Sequence, residues 1–325
     1  MTAPAAEPGQ VGRIALARCA ECGTAVTEED GANLGAEQAG GESGNGAGLA
    51  RHQTGAYETA DPALARAALP ILRAFDRQRL RLLGRALRGS PGSRAPGSPS
   101  PSRLLDVGAG RGRFVASARA AGYEAEGVEP TGRGVTAARA LGVTLRQARL
   151  EDTDVVRESL DAVTAWHVIE HLDDPASAVV RMAGWLRPGG VLLIGVPNVD
   201  SLQARWGGER WYHLDLPRHR THFTPAGLRA LVAGAGLVPV HVHHLLLEHN
   251  PFGMWQSLVN QATTTPSYLY NLLKRNAPLR PADMAVTAAA LPLIPVAAAL
   301  ELAAGVLRRG GTIAVCARKP PDHSL

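Results

Sequence analysis

The sequence predicts a doubly wound α/β fold with a mostly parallel sheet and a helical insertion before its last strand. Three observations carry this reading. Beyond Arg103, short apolar runs alternate with helical patterns at least four times, which implies right-handed βαβ crossovers. A glycine bend sits where the first such run turns into a helix. The chain, 325 residues with 45% apolar content, is long enough to bury a sizeable core.

Residues 1–60 are expected to form a mobile acidic leader, with eight acids against three arginines, so the remainder is basic by ten charges although the whole chain is only +5. Segment 28–56 is rich in Gly, Ala and Glu without periodicity; it buries too little apolar surface to offset its ordering entropy and is expected to be mobile. Cys19 and Cys22 make a CxxC with no second pair, and only His52 and Cys316 as distant helpers, so they read as a metal-free remnant of a zinc knuckle. Three cysteines cannot staple a fold of this size, and the first residues lack a basic segment followed by an apolar one. A reducing, cytoplasmic setting is expected.

From Asp61-Pro62 to Arg88, Leu64, Ala68, Ile71, Phe75, Leu82 and Ala86 recur at helical spacing, with Pro70 expected to kink or restart the helix. Arg73, Arg77, Arg81, Arg85 and Arg88 read as its solvated face. No aromatic residue shares that face, so a nucleic acid finds no stacking platform and is not an expected partner. Residues 89–102 are a Pro/Gly/Ser linker. The core spans 103–248. In it LLDV, EGVE, VTLRQA, LDAVTAWH and VLLIGVP read as strands and 112–121, 132–140 and 175–187 as helices; Thr224-Pro225 starts one more helix before an extended VPVHVHHLLL.

Residues 249–310 are the insertion. The stretch 249–261 reads either as a lining of the acceptor pocket or as an amphipathic helix docked on the sheet. Met284 to Leu307 carries one charge, Glu301, but Pro292, Pro295 and Glu301 argue against a stable membrane span. A core cover or a homodimer face is expected there; the alternative is peripheral membrane contact helped by Arg275, Arg280, Arg308 and Arg309. GTIAVCA, at 311–317, reads as the last strand before the tail to 325.

The glycine bend is Asp106-Val107-Gly108-Ala109-Gly110-Arg111-Gly112. In a chain with 36 glycines a bare GxGxG arises by chance about 0.4 times, so context decides. A strand precedes it, a helix follows, and Glu129 closes the next strand. That describes a nucleoside pocket: glycines admit a ligand to the backbone, and the carboxylate accepts from ribose hydroxyls. Arg113 occupies the place a dinucleotide site gives to glycine, and Asp106 would repel a pyrophosphate. A cationic ligand without phosphate fits better than NAD.

On these residues the sequence resembles the class I S-adenosylmethionine (SAM)-dependent methyltransferases. LLDVGAGRGRF is similar to their first motif, GVEP to the second, LEDT to the segment after the third strand and LDAVTAWHVIEHLDDP to the fourth; WLRPGGVLLIGVPN is similar to their fifth strand and the helix before it. IEHLDDP and PRHRTHFTPAGLRALVAGAGL look like the bacterial branch that includes ubiquinone-biosynthesis-type O-methyltransferases. The resemblance implies a Rossmann-like seven-stranded sheet with an antiparallel last strand and SAM as cofactor. It also implies methyl transfer to a small or lipid-like acceptor, on oxygen before nitrogen or carbon. Asp106, Gly108, Gly110 and Gly112 would line the methionine end, Glu129 would hold the ribose, Glu151 and Asp152 would border the adenine, and Trp166 and His167 would face the sulfonium. The family often has a small or hydroxyl residue where Arg111 stands. An NAD-dependent oxidoreductase and a non-catalytic protein of the same fold are the competing readings.

A base is needed when the acceptor arrives protonated, and histidine supplies it near neutral pH. His171, after the fourth strand, and His219, in the PRHRTHFTP loop, are the candidates; His222, just before a helix, reads as structural. The cluster His213, Asp215, His219, His222 lies in a hydrophilic loop interrupted by Pro217 and is not assigned a metal.

Overall fold

The computed structural model describes residues 2–4, 13–29, 62–88, 101–248, 250–273 and 277–321; the expected mobile leader beyond residue 29 and the linker at 89–100 lie outside the described residues. Three strands open the chain, β1 (Thr2–Pro4), β2 (Arg13–Arg18) and β3 (Ala25–Glu29), followed by the 27-residue helix α1 (Pro62–Arg88). Next come β4 (Arg103–Val107), α2 (Arg113–Ala120), β5 (Glu124–Glu129), α3 (Gly132–Arg139) and β6 (Arg146–Gln147). They are succeeded by β7 (Leu160–Trp166), α4 (Pro175–Trp185), β8 (Leu186–Pro197) and the short α5 (Leu202–Gly207). β9 (Thr221–His222), α6 (Pro225–Gly234) and β10 (Val238–His243) lead to the insertion. It holds α7 (Asn250–Val259), α8 (Tyr268–Leu273), α9 (Pro281–Ala290) and α10 (Ile294–Val306), and β11 (Thr312–Arg318) closes the fold.

The main sheet has seven strands in the order β10-β11-β8-β7-β4-β5-β6. Its pairs are parallel except those of β11, which runs antiparallel to both β8 and β10. Strand neighbours step one way from β4 to β5 and the other way from β4 to β7, so the order reverses beside β4. Open α/β sheets bind ligands beyond the carboxyl ends of the strands at such a reversal. Leu105, Val107, Val163, Ala165, Leu192 and Ile194 pack into one layer, while Leu104, Ala162, Trp166, Val191 and Leu193 pack into the other. Both faces are covered, which is why these strands are continuous apolar runs instead of alternating ones.

Local chemistry starts the helices. Thr131, Asp174 and Thr224 each accept a hydrogen bond from the backbone N–H three residues on, and Pro175 and Pro225 occupy first-turn positions where a missing N–H costs nothing. The arginines at 73, 77, 81, 85 and 88 are exposed while Leu82, Leu83, Ala86 and Leu87 pack on the sheet.

Three observations differ from the sequence reading. Helix α1 runs through Pro70 without restarting, at the loss of the hydrogen bond a proline nitrogen cannot donate. Residues 13–29 are an ordered hairpin, and β3 pairs antiparallel with β9, Ala25 opposite His222 and Val26 opposite Thr221. That pairing bridges nearly two hundred residues, which no local pattern announces. The insertion is also less a core cover than a surface layer: α10 packs on α7 through Ala297, against Met254, Trp255 and Val259, but much of its remaining surface is exposed.

Candidate active site

The bend after β4 is built on two glycines with different reasons. At Gly108, with φ +68°, a Cβ would lie 2.4 Å from Val168 Cγ2, so glycine alone lets the loop rest against the chain leaving β7. At Gly110, with φ +55°, a Cβ would meet nothing within 4 Å: the loop faces open space. Gly112 caps α2. Glu129, 3% exposed, stands beside this space; its carboxylate accepts from the Gly110 N–H (2.9 Å), the Thr131 N–H (3.1 Å) and the Thr131 hydroxyl (2.5 Å). Glu151 and Asp152 form an exposed turn beyond β6 on the same sheet edge, with Glu151 3.6 Å from Arg149.

Asp106 is not a free carboxylate for a cationic ligand. It is 3% exposed, and its Oδ1 accepts from Arg79 Nη2 (3.2 Å) and the Thr164 hydroxyl (2.5 Å). Burial raises its pKa, opposed by the Arg79 charge and the Thr164 hydrogen bond. Its work is to hold Arg79, whose guanidinium carbon lies 3.8 Å from the Phe114 ring centre and 4.8 Å from that of Trp166. The Arg79 Nε and the Trp166 Nε1 are buried with no hydrogen-bond partner. Sequence reading missed Arg79, but a signal existed. Asp76 and Arg79 fall on the apolar stripe of α1 that continues through Leu82, Leu83 and Ala86, where an unpartnered charge would be costly. Asp76 accepts from Ser117 (2.8 Å) and pairs with Arg113 (3.2 Å), which also reaches Glu248 (3.1 Å). Arg113 is thus bound to two carboxylates where a dinucleotide site needs glycine.

Across the bend, the segment after β7 carries the second half of the site. His167 adopts φ +54°, and its Nδ1 lies 2.9 Å from Glu170 Oε1. Glu170 is 1% exposed. Burial pushes its pKa up, but the hydrogen bond and charge of His167, with the charges of His171 and His219, outweigh that and bring it to about 2. His171 Nδ1 is 3.1 Å from the Arg218 carbonyl and His219 Nδ1 is 2.7 Å from the His213 carbonyl. A carbonyl only accepts, so both Nδ1 atoms carry a proton, and in a neutral ring so held Nε2 is the acceptor. A ligand atom from each of Glu170, His171 and His219 lies within 4.8 Å of the others, and Glu170 Oε2 has no hydrogen-bond partner. Burial, reinforced by neighbouring His171, lowers the His219 pKa to about 4, which keeps it neutral at pH 7.

The structure therefore brings His171 and His219 together and adds Glu170, which sequence reading passed over although it stands inside the IEHLDDP motif. The other loop residues stand around that trio with other partners. His222 Nε2 lies 3.0 Å from the Thr27 hydroxyl, which itself donates to the His219 carbonyl at 2.6 Å, so β3 braces the histidine loop from behind. Asp215 pairs with Arg218, and its Oδ2 lies 3.9 Å from His219 Nε2. His213 stacks on His167 at 5.9 Å and meets Tyr212 edge-on; Tyr212 continues to Phe252 and Tyr270 at 5.4 and 5.6 Å. This aromatic wall joins the insertion to the histidine edge. A separate groove of about 930 Å³, lined by Arg229, Val240, His243 and Arg308 among others, runs along β10, with three strands between it and β4.

A family model described as a methyltransferase domain matches residues 73–242. A ubiquinone biosynthesis O-methyltransferase of Bordetella bronchiseptica is 32% identical over 193 residues, covering 55% of this chain and 78% of that protein. The protein of the same name from Cereibacter sphaeroides is 30% identical over 151 residues, covering 42% of this chain and 61% of its own length. A solved SAM-dependent methyltransferase from Archaeoglobus fulgidus aligns with a TM-score of 0.48 at 16% identity, over 80% of this chain and 100% of that one.

Proposed function

The chain belongs to the methyltransferase-domain family and is a SAM-dependent methyltransferase; from that premise we propose that it methylates the oxygen of a small, lipid-like hydroxylated acceptor seated between the Glu170–His171–His219 cluster and the aromatic wall. The observation that supports this most is the convergence of one ionised carboxylate and two imidazoles, with Val168 packed against Gly108. A buried carboxylate with one oxygen unpartnered, flanked by two imidazoles, suits an O–H that must lose its proton.

The residues present fit the cofactor. Open space before Gly110 would admit the nucleoside, Glu129 would hold the ribose, and the buried Arg79, with its orphaned Nε, suits the amino-acid carboxylate. Bound SAM supplies a methyl group on a sulfonium, an electrophile whose leaving group is a neutral thioether. The chain orients the acceptor oxygen in line with that carbon, which is where most of the rate arises. His171, less buried than His219, takes the hydroxyl proton on Nε2 and returns it to water. His219, depressed to about 4, is the weaker base and positions the acceptor. Relatives named as ubiquinone biosynthesis O-methyltransferases favour oxygen as the methylated atom. The three free cysteines suit a reducing cytoplasm.

The test is radiolabelled methyl transfer to phenols, alcohols and amines, with S-adenosylhomocysteine binding measured in parallel. His171→Ala is expected to lower kcat with binding intact; methylated amines as the main product would overturn the assignment. The same convergence supports a second reading, a divalent cation on Glu170, His171 and His219 that orients the acceptor oxygen, since carboxylate and imidazole together suit a borderline ion.

A further inference from the structure

We propose that the outer face of α9 and α10 docks this protein on an anionic lipid bilayer, the helices lying in the interface instead of crossing it. Pro281–Val306 is a 26-residue helical run, interrupted by the 3-10 turn Leu291–Leu293 and apolar enough to span a membrane, yet only 22% of its most apolar window is buried. α10 turns one stripe inward, Ala297, Glu301, Ala304 and Gly305, at the spacing of a single helical face. The opposite arc shows Val296, Leu302 and Val306 at 54%, 55% and 70% exposure, and Leu291, Leu293 and Ile294 extend it around the turn. A helix facing water carries polar side chains on that arc; this one carries aliphatic ones.

Charge identifies the partner. Residues 249–310 hold five lysines and arginines against two acids, and both acids point inward. Asp283, 2% exposed, accepts from the backbone and hydroxyl of Thr264; Glu301, 3% exposed, accepts from Gln203 Nε2 at 2.6 Å and from the Gly311 N–H at 2.8 Å. Arg280 precedes α9 and Arg308 and Arg309 follow α10, all exposed, with Arg309 also reaching Asp200 at 2.9 Å. The insertion therefore offers an aliphatic surface with arginines at its two ends, the pattern that binds an acyl layer under anionic headgroups. A second copy of the chain would bring two cationic rims together, which opposes self-association through this face. Crossing the bilayer is opposed by Glu301, which would have to leave Gln203 and Gly311, and by β11, which enters the sheet at Thr312 directly after α10.

Sedimentation of the full chain with phosphatidylcholine vesicles, with and without phosphatidylglycerol, tests this. Partition onto the anionic vesicles is expected to be at least about tenfold stronger and to fall with added salt. Leu293→Glu with Leu302→Glu is expected to abolish it, and Arg308→Glu to reduce the preference for phosphatidylglycerol, with Tm unchanged because all three side chains are exposed. Absence of vesicle binding by the unmodified chain overturns the proposal. So does a dimer in analytical ultracentrifugation that Leu302→Glu splits, since the face would then belong to a second copy.

Discussion

Replacing Arg79 by methionine removes the guanidinium held by Asp106, Phe114 and Trp166 while keeping most of its volume. Its side chain and that of Asp106 are 7% and 5% exposed and meet at 3.2 Å. Breaking a pair this buried leaves Asp106 with only Thr164, a loss of about 3–5 kcal/mol, whereas the conserved volume limits the cavity contribution. The pH dependence has a definite sign. Burial already raises Asp106 in the folded state, and without Arg79 it rises further, so the folded protein prefers the protonated form. Stability of the variant is then fully present below the ordinary aspartate value and is lost as pH rises through the raised folded one. Urea unfolding of both proteins is expected to show the smallest gap under acidic conditions and the full gap at neutral pH. Adding Asp106→Asn to the variant removes the stranded charge and is expected to recover most of the deficit. A single variant within about 1 kcal/mol of the parent at pH 7, or a double variant no more stable than the single one, refutes the claim that this pair is a buried, mutually dependent unit.

Three further outcomes are expected. Glu129→Ala is expected to weaken S-adenosylhomocysteine binding by about 1–3 kcal/mol in calorimetry, because its carboxylate stands beside Gly110, at the proposed ribose site; unchanged affinity contradicts that proposal. Burial lifts Glu301 to about 7, opposed by the Gly311 and Gln203 hydrogen bonds, so its contribution is complete below its ordinary value of 4.5 and lost as pH rises through about 7. The loss is about 3 kcal/mol, and comparing the parent with Glu301→Gln across that range isolates it from the histidines; parallel curves disprove the shift. Finally, zinc or manganese raises Tm if the three-residue cluster binds a cation, and Glu170→Gln removes the rise; no response to either ion in the parent protein leaves proton acceptance as the cluster's role.

The layered architecture was legible because it is written locally. Buried parallel strands are continuous apolar runs, Thr131, Asp174 and Thr224 stand at helix starts, and the positive φ at Gly108 and Gly110 demands glycine. The position of Glu129 beside the bend was legible for the same reason, since it closes the neighbouring strand and its register is inherited from the sheet. Arg73, Arg77, Arg81, Arg85 and Arg88 share one helical face by spacing alone.

What tertiary structure decided is how charges and lone pairs meet across long separations. Asp106 looks ligand-facing in one dimension and is instead spoken for by Arg79, 27 positions earlier. Thr27 reaches the histidine loop across 192 residues, and Glu170 becomes the hub of two histidines that come from different segments. The amino acids near each residue in sequence decide which element it joins, because hydrogen-bond periodicity is local. Which distant group neutralises a buried charge depends on how those elements pack, and that is decided only when the layers close and water is excluded.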